Sequence, residues 1–178
     1  MIIIEGPDNS GKSTLCNQLS KHFQIEVIHS GGPGKDFEEI IHRTDSFISA
    51  HKQICIRDRF PAISDKVYAS ILRDGQTVFT DPVYKKYMEI LIGMHPVIIL
   101  CWPEYGTMMN LKTHQRGLFD DDELWEGVKA NQEKIIEMYD NLFQEIPHIK
   151  YSYEDPYNLD TIKQCISTQL INMKGRKV

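Results

Sequence analysis

Residues Gly6 to Thr14 read GPDNSGKST and follow at once on the apolar start Met1–Glu5, MIIIE. Ile2, Ile3 and Ile4 are β-branched and continuous, the pattern of a short strand buried on both faces. Gly6, Gly11, Lys12 and Ser13 occupy the fixed positions of the Gly-x-x-x-x-Gly-Lys-Ser pattern. The glycines allow successive backbone N–H groups to turn inward as an anion nest. The helix that follows adds its positive N-terminal end. Lys12 is expected to place a cation on the β- and γ-phosphates of ATP, and the Ser13 hydroxyl to hold Mg²⁺. Asn9, Ser10 and Thr14 complete the expected ATP-binding stretch. The match lies between a predicted strand and a predicted helix, the context the pattern requires. Asp8 is the residue out of place, because a carboxylate should repel the phosphates that the loop wraps.

Outward from this loop the chain alternates strand and helix. A helix is predicted from Lys12 to about His22, with Leu15, Cys16, Leu19 and Phe23 on its apolar face. Ile25–His29 reads as a second strand, broken by SGGPG. Asp36–Ala50 reads as a helix and Gln53–Arg57 as a third strand ending in DRF. Helices are predicted from about Ser64 to Arg73 and over Val83–Gly93. PVIILCW, Pro96 to Trp102, is the fourth strand. Glu104–His114 reads as helical, and Asp121–Phe143 as one long helix. His148–Tyr153 is the fifth strand and Tyr157–Met173 the last helix. This order predicts an α/β three-layer sandwich: a central five-stranded parallel sheet with helices on both faces. In such sheets ligands bind beyond the carboxyl ends of the strands, where both the phosphate loop and DRF fall.

With 178 residues and no divisible linker, the chain is expected to be a single domain, 1–178, with a short lid around 112–122. The net charge of −5 argues against a duplex nucleic acid partner, which would favour a basic face. The longest apolar run is too short to span a bilayer. MIIIE is too short for a signal peptide, so a cytoplasmic protein is expected. Four scattered cysteines, Cys16, Cys55, Cys101 and Cys165, form no metal pattern and read as reduced thiols.

Three function classes share the phosphate loop. A GTPase switch needs an Asn-Lys-x-Asp string, and none occurs. A motor-type ATPase usually has an apolar strand ending in Asp-Glu, whereas the fourth strand here ends in CWPE. A small kinase remains, and it must hold a second molecule in line with the donor. The middle of the loop bulges away from the phosphates, so Asp8 is placed to accept hydrogen bonds from an acceptor hydroxyl. A solvated turn residue explains the same aspartate, and the residues alone leave both readings open. In RDRF, Arg57 to Phe60, an arginine supplies a bidentate fork for phosphate. A surface ion-pair cluster is the alternative account, but a charged triplet directly after a buried strand, at the ligand edge of the sheet, favours the phosphate reading.

GPDNSGKST followed by RDRF resembles the thymidylate kinase family of nucleoside monophosphate kinases, viral-type members included. The resemblance implies that Asp8 contacts the acceptor deoxyribose and that Asp58 assists Mg²⁺ and the phosphate ends. It implies that Arg59 holds the acceptor phosphate and the transferred group, with Arg43 from the second helix helping to bind the monophosphate. Family members have an arginine-rich lid. Here Arg116 is its only arginine, expected either at the transferring phosphoryl group and adenine or in solvent. Asp120–Glu123 is explained by the helix dipole without a ligand. Phe37 and Phe47 repeat at helical spacing and read as core, and Tyr68 and Tyr84 fall at a cleft or a core edge. The implied activity is phosphoryl transfer from ATP to a deoxynucleoside monophosphate, with dTMP leading, and small nucleotides as partners. A homodimer is implied by the family alone. Two other readings stand: a kinase of a nucleoside or of hydroxymethylated bases in DNA, and a nucleotide-dependent binding protein with no small acceptor.

Overall fold

The computed structural model describes residues 1–30, 36–50, 53–72, 75–111 and 122–175. Strands β1 (Ile2–Glu5), β2 (Val27–His29), β3 (Ile56–Asp58), β4 (Val97–Cys101) and β5 (Ile149–Tyr151) alternate with helices. These are α1 (Lys12–Phe23), α2 (Phe37–Ser49), α3 (Pro61–Leu72), α4 (Asp81–Gly93), α5 (Tyr105–Met109), α6 (Asp122–Ala130), α7 (Gln132–Phe143) and α8 (Asn158–Gly175). The five strands form one sheet in the order β2-β3-β1-β4-β5. Every pairing is parallel, with Ile3 opposite Arg57 on one side and Ile98 on the other. β1 is therefore the central strand, and the phosphate loop leaves from the middle of the carboxyl edge.

Alternation along the strands sorts the core into two layers. Ile2 and Ile4 face Leu15, Cys16 and Leu19 of α1 and Ile162 and Ile166 of α8. Ile3 faces the opposite layer, with Ile40 and Phe47 of α2, Ile63 and Val67 of α3 and Tyr139 of α7. β1 is buried along its whole length, as its unbroken isoleucines require. The predicted three-layer α/β architecture is what the chain adopts.

The elements differ from the sequence reading in several places, and β3 runs over Ile56–Asp58 where Gln53–Arg57 was expected. The predicted helix over 121–143 is two helices, α6 and α7, divided at Asn131. The Asn131 side chain donates to the Gly127 carbonyl at 2.9 Å, and its N–H goes back to Val128. Such back-bonding bends a helix, and here it re-aims Gln132 inward. α3 begins at Pro61 and not at Ser64, because proline suits a first helical position. α5 ends at Met109, short of the predicted His114. The expected lid around 112–122 and the acidic run from Asp120 lie almost entirely outside the described residues.

Candidate active site

The loop from Gly6 to Gly11 joins β1 to α1 as a tightly braced bend. Gly6 and Gly11 have φ of 143° and 86°. A Cβ on Gly6 would stand 2.5 Å from the Cys101 carbonyl, and one on Gly11 would stand 2.7 Å from the Tyr153 ring. Only glycine meets both the backbone and the space requirement at these two positions. Asn9 has a left-handed φ of 59°, which asparagine tolerates. Its amide donates to the carbonyls of Thr107 and Asn110 at 2.7 and 3.0 Å. Gln132, 2% exposed, donates to the Asp8 and Met108 carbonyls at 3.1 Å each. The loop is thus tied to α5 and α7 from behind.

Lys12 is buried, and its ammonium donates to the Pro7 carbonyl at 2.6 Å. Burial, then the neighbouring Arg59 charge, holds it below its ordinary pKa. An anion such as phosphate would compensate this charge. Ser13 and Thr14 are exposed at the start of α1, whereas Ser10 is buried with its hydroxyl unpartnered.

On the face of the sheet away from α1 five side chains form a continuous chain of contacts. The Asp8 carboxylate accepts from the Tyr68 hydroxyl at 2.6 Å and from Arg59 at 3.3 Å. Arg59 also donates to the Tyr139 hydroxyl at 2.7 Å and lies over the Tyr68 ring at 5.1 Å. The Tyr139 hydroxyl reaches Glu5 at 3.3 Å, and the other Glu5 oxygen accepts the Phe60 N–H. Glu5 is 0% exposed. Burial pushes its carboxyl up to about 7, with Arg59 and then the Phe60 N–H pulling the other way. Arg59 holds a left-handed φ of 73°, a strained state for a residue of its size. The bend turns its side chain across β1 towards Asp8 and Tyr139. The Ser30 hydroxyl fastens the Arg59 carbonyl at 2.8 Å.

Asp58 lies on the other face of β3, the face of Ile56 and α1. One carboxylate oxygen pairs with His29 Nδ1 at 2.9 Å, and the other is buried without a hydrogen-bond partner. An orphaned carboxylate oxygen, with the exposed Ser13 hydroxyl on the helix this face packs against, is a hard-oxygen donor set of the kind Mg²⁺ takes. Among the described residues no cluster of three metal-ligating side chains occurs. A site of this type would take the rest of its ligands from water and substrate oxygens.

Arg43 on α2 pairs with Glu39 and donates to the Ser30 carbonyl at 3.0 Å, which brings it to the carboxyl edge of β2. Phe47 is core at 3% exposure, but Phe37 is 50% exposed in the first turn of α2, contrary to the core reading. Arg116 lies outside the described residues. The sequence reading missed Glu5, Tyr139 as a hydrogen-bonding residue, Gln132, His29 and Tyr153. Glu5 had a legible signal, since a carboxylate directly after three isoleucines ends a strand read as buried on both faces. The others are brought in by tertiary packing alone.

No protein-family model matches the chain, and no curated protein matches it at a significant level. Among solved structures it is similar to the YorR protein from Bacillus subtilis in complex with phosphorylated GDP. That likeness has a TM-score of 0.67 at 20% identity and covers 99% of this chain and 98% of that one. It is also similar to deoxyadenosine kinase from M. mycoides with bound dCTP, at a TM-score of 0.50, 19% identity, and 94% and 100% coverage. The fold is that of the P-loop kinases. Among the described residues no helix is long and apolar enough to cross a membrane.

Proposed function

We propose that this P-loop kinase fold transfers the γ-phosphoryl group of ATP to a deoxynucleoside monophosphate, with dTMP the leading acceptor. The observation that carries the reading is the position of Asp8. It lies inside the phosphate loop, yet its carboxylate is turned to Tyr68 and Arg59 on the side of the sheet away from α1. A loop that only bound ATP would have no use for a carboxylate aimed there. Two solved structures of the same fold hold nucleotides, which agrees with a nucleotide donor.

Phosphoryl transfer asks for positioning and for positive charge around the moving group, and little covalent chemistry. Lys12 and the loop amides would bind the donor phosphates. Ser13 and Asp58 would hold Mg²⁺, which supplies neutralising charge to phosphate oxygens when bound. Arg59, held in place by Tyr139 and Asp8, would meet the charge that develops on the equatorial oxygens. Asp8 would accept a hydrogen bond from the acceptor sugar, and Arg43 would assist its phosphate. Arg116 is proposed to complete the site from a lid of the single 1–178 domain. A cytoplasmic location follows from this chemistry as an expectation.

A free nucleoside as acceptor is the second reading, favoured by Glu5. A carboxyl with a pKa near neutrality is suited to take a proton from a hydroxyl. Glu5 is sealed from solvent and held by Phe60 and Tyr139, which ranks this reading second. ADP release from Mg-ATP tests the choice across deoxynucleoside monophosphates, free nucleosides, and DNA with and without hydroxymethylated pyrimidines. Stimulation by dTMP or another monophosphate is expected. Stimulation only by nucleosides or modified DNA would move the acceptor class. No stimulation would favour a nucleotide-dependent binding protein.

A further inference from the structure

One buried cation near this site lacks an anion. Arg57 stands on β3, paired with Ile3 of β1 and Ile28 of β2. Alternation sends its side chain, like that of Cys55, to the α2–α3 layer, while Ile56 and Asp58 face α1. Arg57 is 9% exposed, and its guanidinium lies over the Phe47 ring at 5.1 Å. Its Nε is buried with no hydrogen-bond partner. No ion pair among the described residues includes it. The nearby carboxylates are engaged elsewhere: Asp8 with Arg59, Glu39 with Arg43, and Asp58 with His29 on the opposite face.

A buried guanidinium without an anion is destabilising, and the face of a phenyl ring offsets only part of that cost. Such a charge is expected where a ligand supplies the balance. An arginine fork matches a phosphate in geometry as well as in charge. The donor triphosphate already has Lys12 and the loop amides on the α1 side. Arg57 is on the other side of the sheet, next to the helix that carries Arg43. The anion it awaits therefore belongs to the acceptor.

We infer that Arg57 is a specificity-determining residue whose guanidinium receives the phosphate of the acceptor, so that the acceptor is a nucleoside monophosphate and not a free nucleoside. This deepens the kinase reading above and rests on it. At saturating Mg-ATP, each deoxynucleoside monophosphate is compared with its nucleoside on wild type, Arg57→Met and Arg57→Lys. Acceptor binding is measured directly by calorimetry in parallel.

Arg57→Met raises KM and Kd for the monophosphate about 30- to 100-fold, the loss of a charged, forked contact. KM for ATP stays within about twofold, and nucleoside binding is unchanged. The ligand-free melting temperature holds or rises, because an uncompensated charge has gone. Arg57→Lys keeps the charge, loses the fork, and gives a smaller loss of at least about threefold. An unchanged monophosphate KM overturns the inference, and so do equal losses for monophosphate and nucleoside. Should Arg57→Met not fold, the lysine variant decides by the same comparison. A wild type active on monophosphates with an indifferent Arg57→Met defeats this inference alone. A wild type inert towards every acceptor defeats the kinase reading and this inference with it.

Discussion

At the scale of single residues, Asp8 and Glu5 are two carboxyls with opposite environments. Asp8 is partly exposed and charge-paired with Arg59, and it is the proposed acceptor contact. Asp8→Asn keeps the side-chain shape and removes the charge. Acceptor KM should rise about 10- to 100-fold while ATP KM stays within about twofold, read from steady-state kinetics. Equal losses for both substrates would show that Asp8 only shapes the loop. Glu5 is fully buried, and its pKa is raised from an ordinary 4.5 to about 7. The folded protein therefore holds this proton more tightly than the unfolded chain. The contribution is full below about pH 4.5 and is lost as pH rises towards 7, up to about 3 kcal/mol in all. Denaturant unfolding at pH 5 and pH 8 should show this loss in wild type and not in Glu5→Gln. Identical pH slopes in the two proteins would contradict it.

At the scale of elements, the phosphate loop depends on its glycines for two separable reasons. Gly75 has φ 79° with open space around it, whereas Gly11 has φ 86° and the Tyr153 ring against it. Gly75→Ala should cost about 1 kcal/mol, the backbone strain alone. Gly11→Ala should cost about 2 to 4 kcal/mol and weaken ATP binding, because strain and collision add. Chemical denaturation of the two variants separates the contributions, and equal costs would remove the collision from the account. The sequence shows that Gly11 belongs to a nest, but it cannot show that Tyr153 from beyond β5 closes on it. Element ends were legible where local spacing dominates, and Pro61 at the start of α3 was a local signal that the spacing of the following residues hid. They were not legible where tertiary contact overrides spacing. Gln132 is drawn inward to Asp8 and Met108, so the apolar repeat from Leu124 to Leu142 runs across a break at Asn131. Phe37 keeps the helical spacing of Ile40 yet sits in the first turn of α2 and is exposed.

At the scale of the whole molecule, the alternation of strands and helices made the parallel sheet legible. The strand order did not follow from it, because hydrophobic patterning says which faces are buried and not which strands are neighbours. That order puts β1 between β3 and β4, so the phosphate loop and Asp58-Arg59 emerge side by side. The same order divides the carboxyl edge into a side facing α1, with Lys12, Ser13 and Asp58, and a side facing α2 and α3, with Asp8, Arg57 and Arg59. Under the proposed reading, donor and acceptor would take separate halves of one edge, with the phosphate loop between them. The most direct test follows the γ-phosphoryl group itself. The intact chain is incubated with ATP labelled at the γ-phosphorus, Mg²⁺ and dTMP or another deoxynucleoside monophosphate, with Lys12→Ala as the control. Label recovered on the monophosphate as its diphosphate, and absent with Lys12→Ala, is the predicted result. Label released only as inorganic phosphate, at a rate no acceptor changes, would contradict the account.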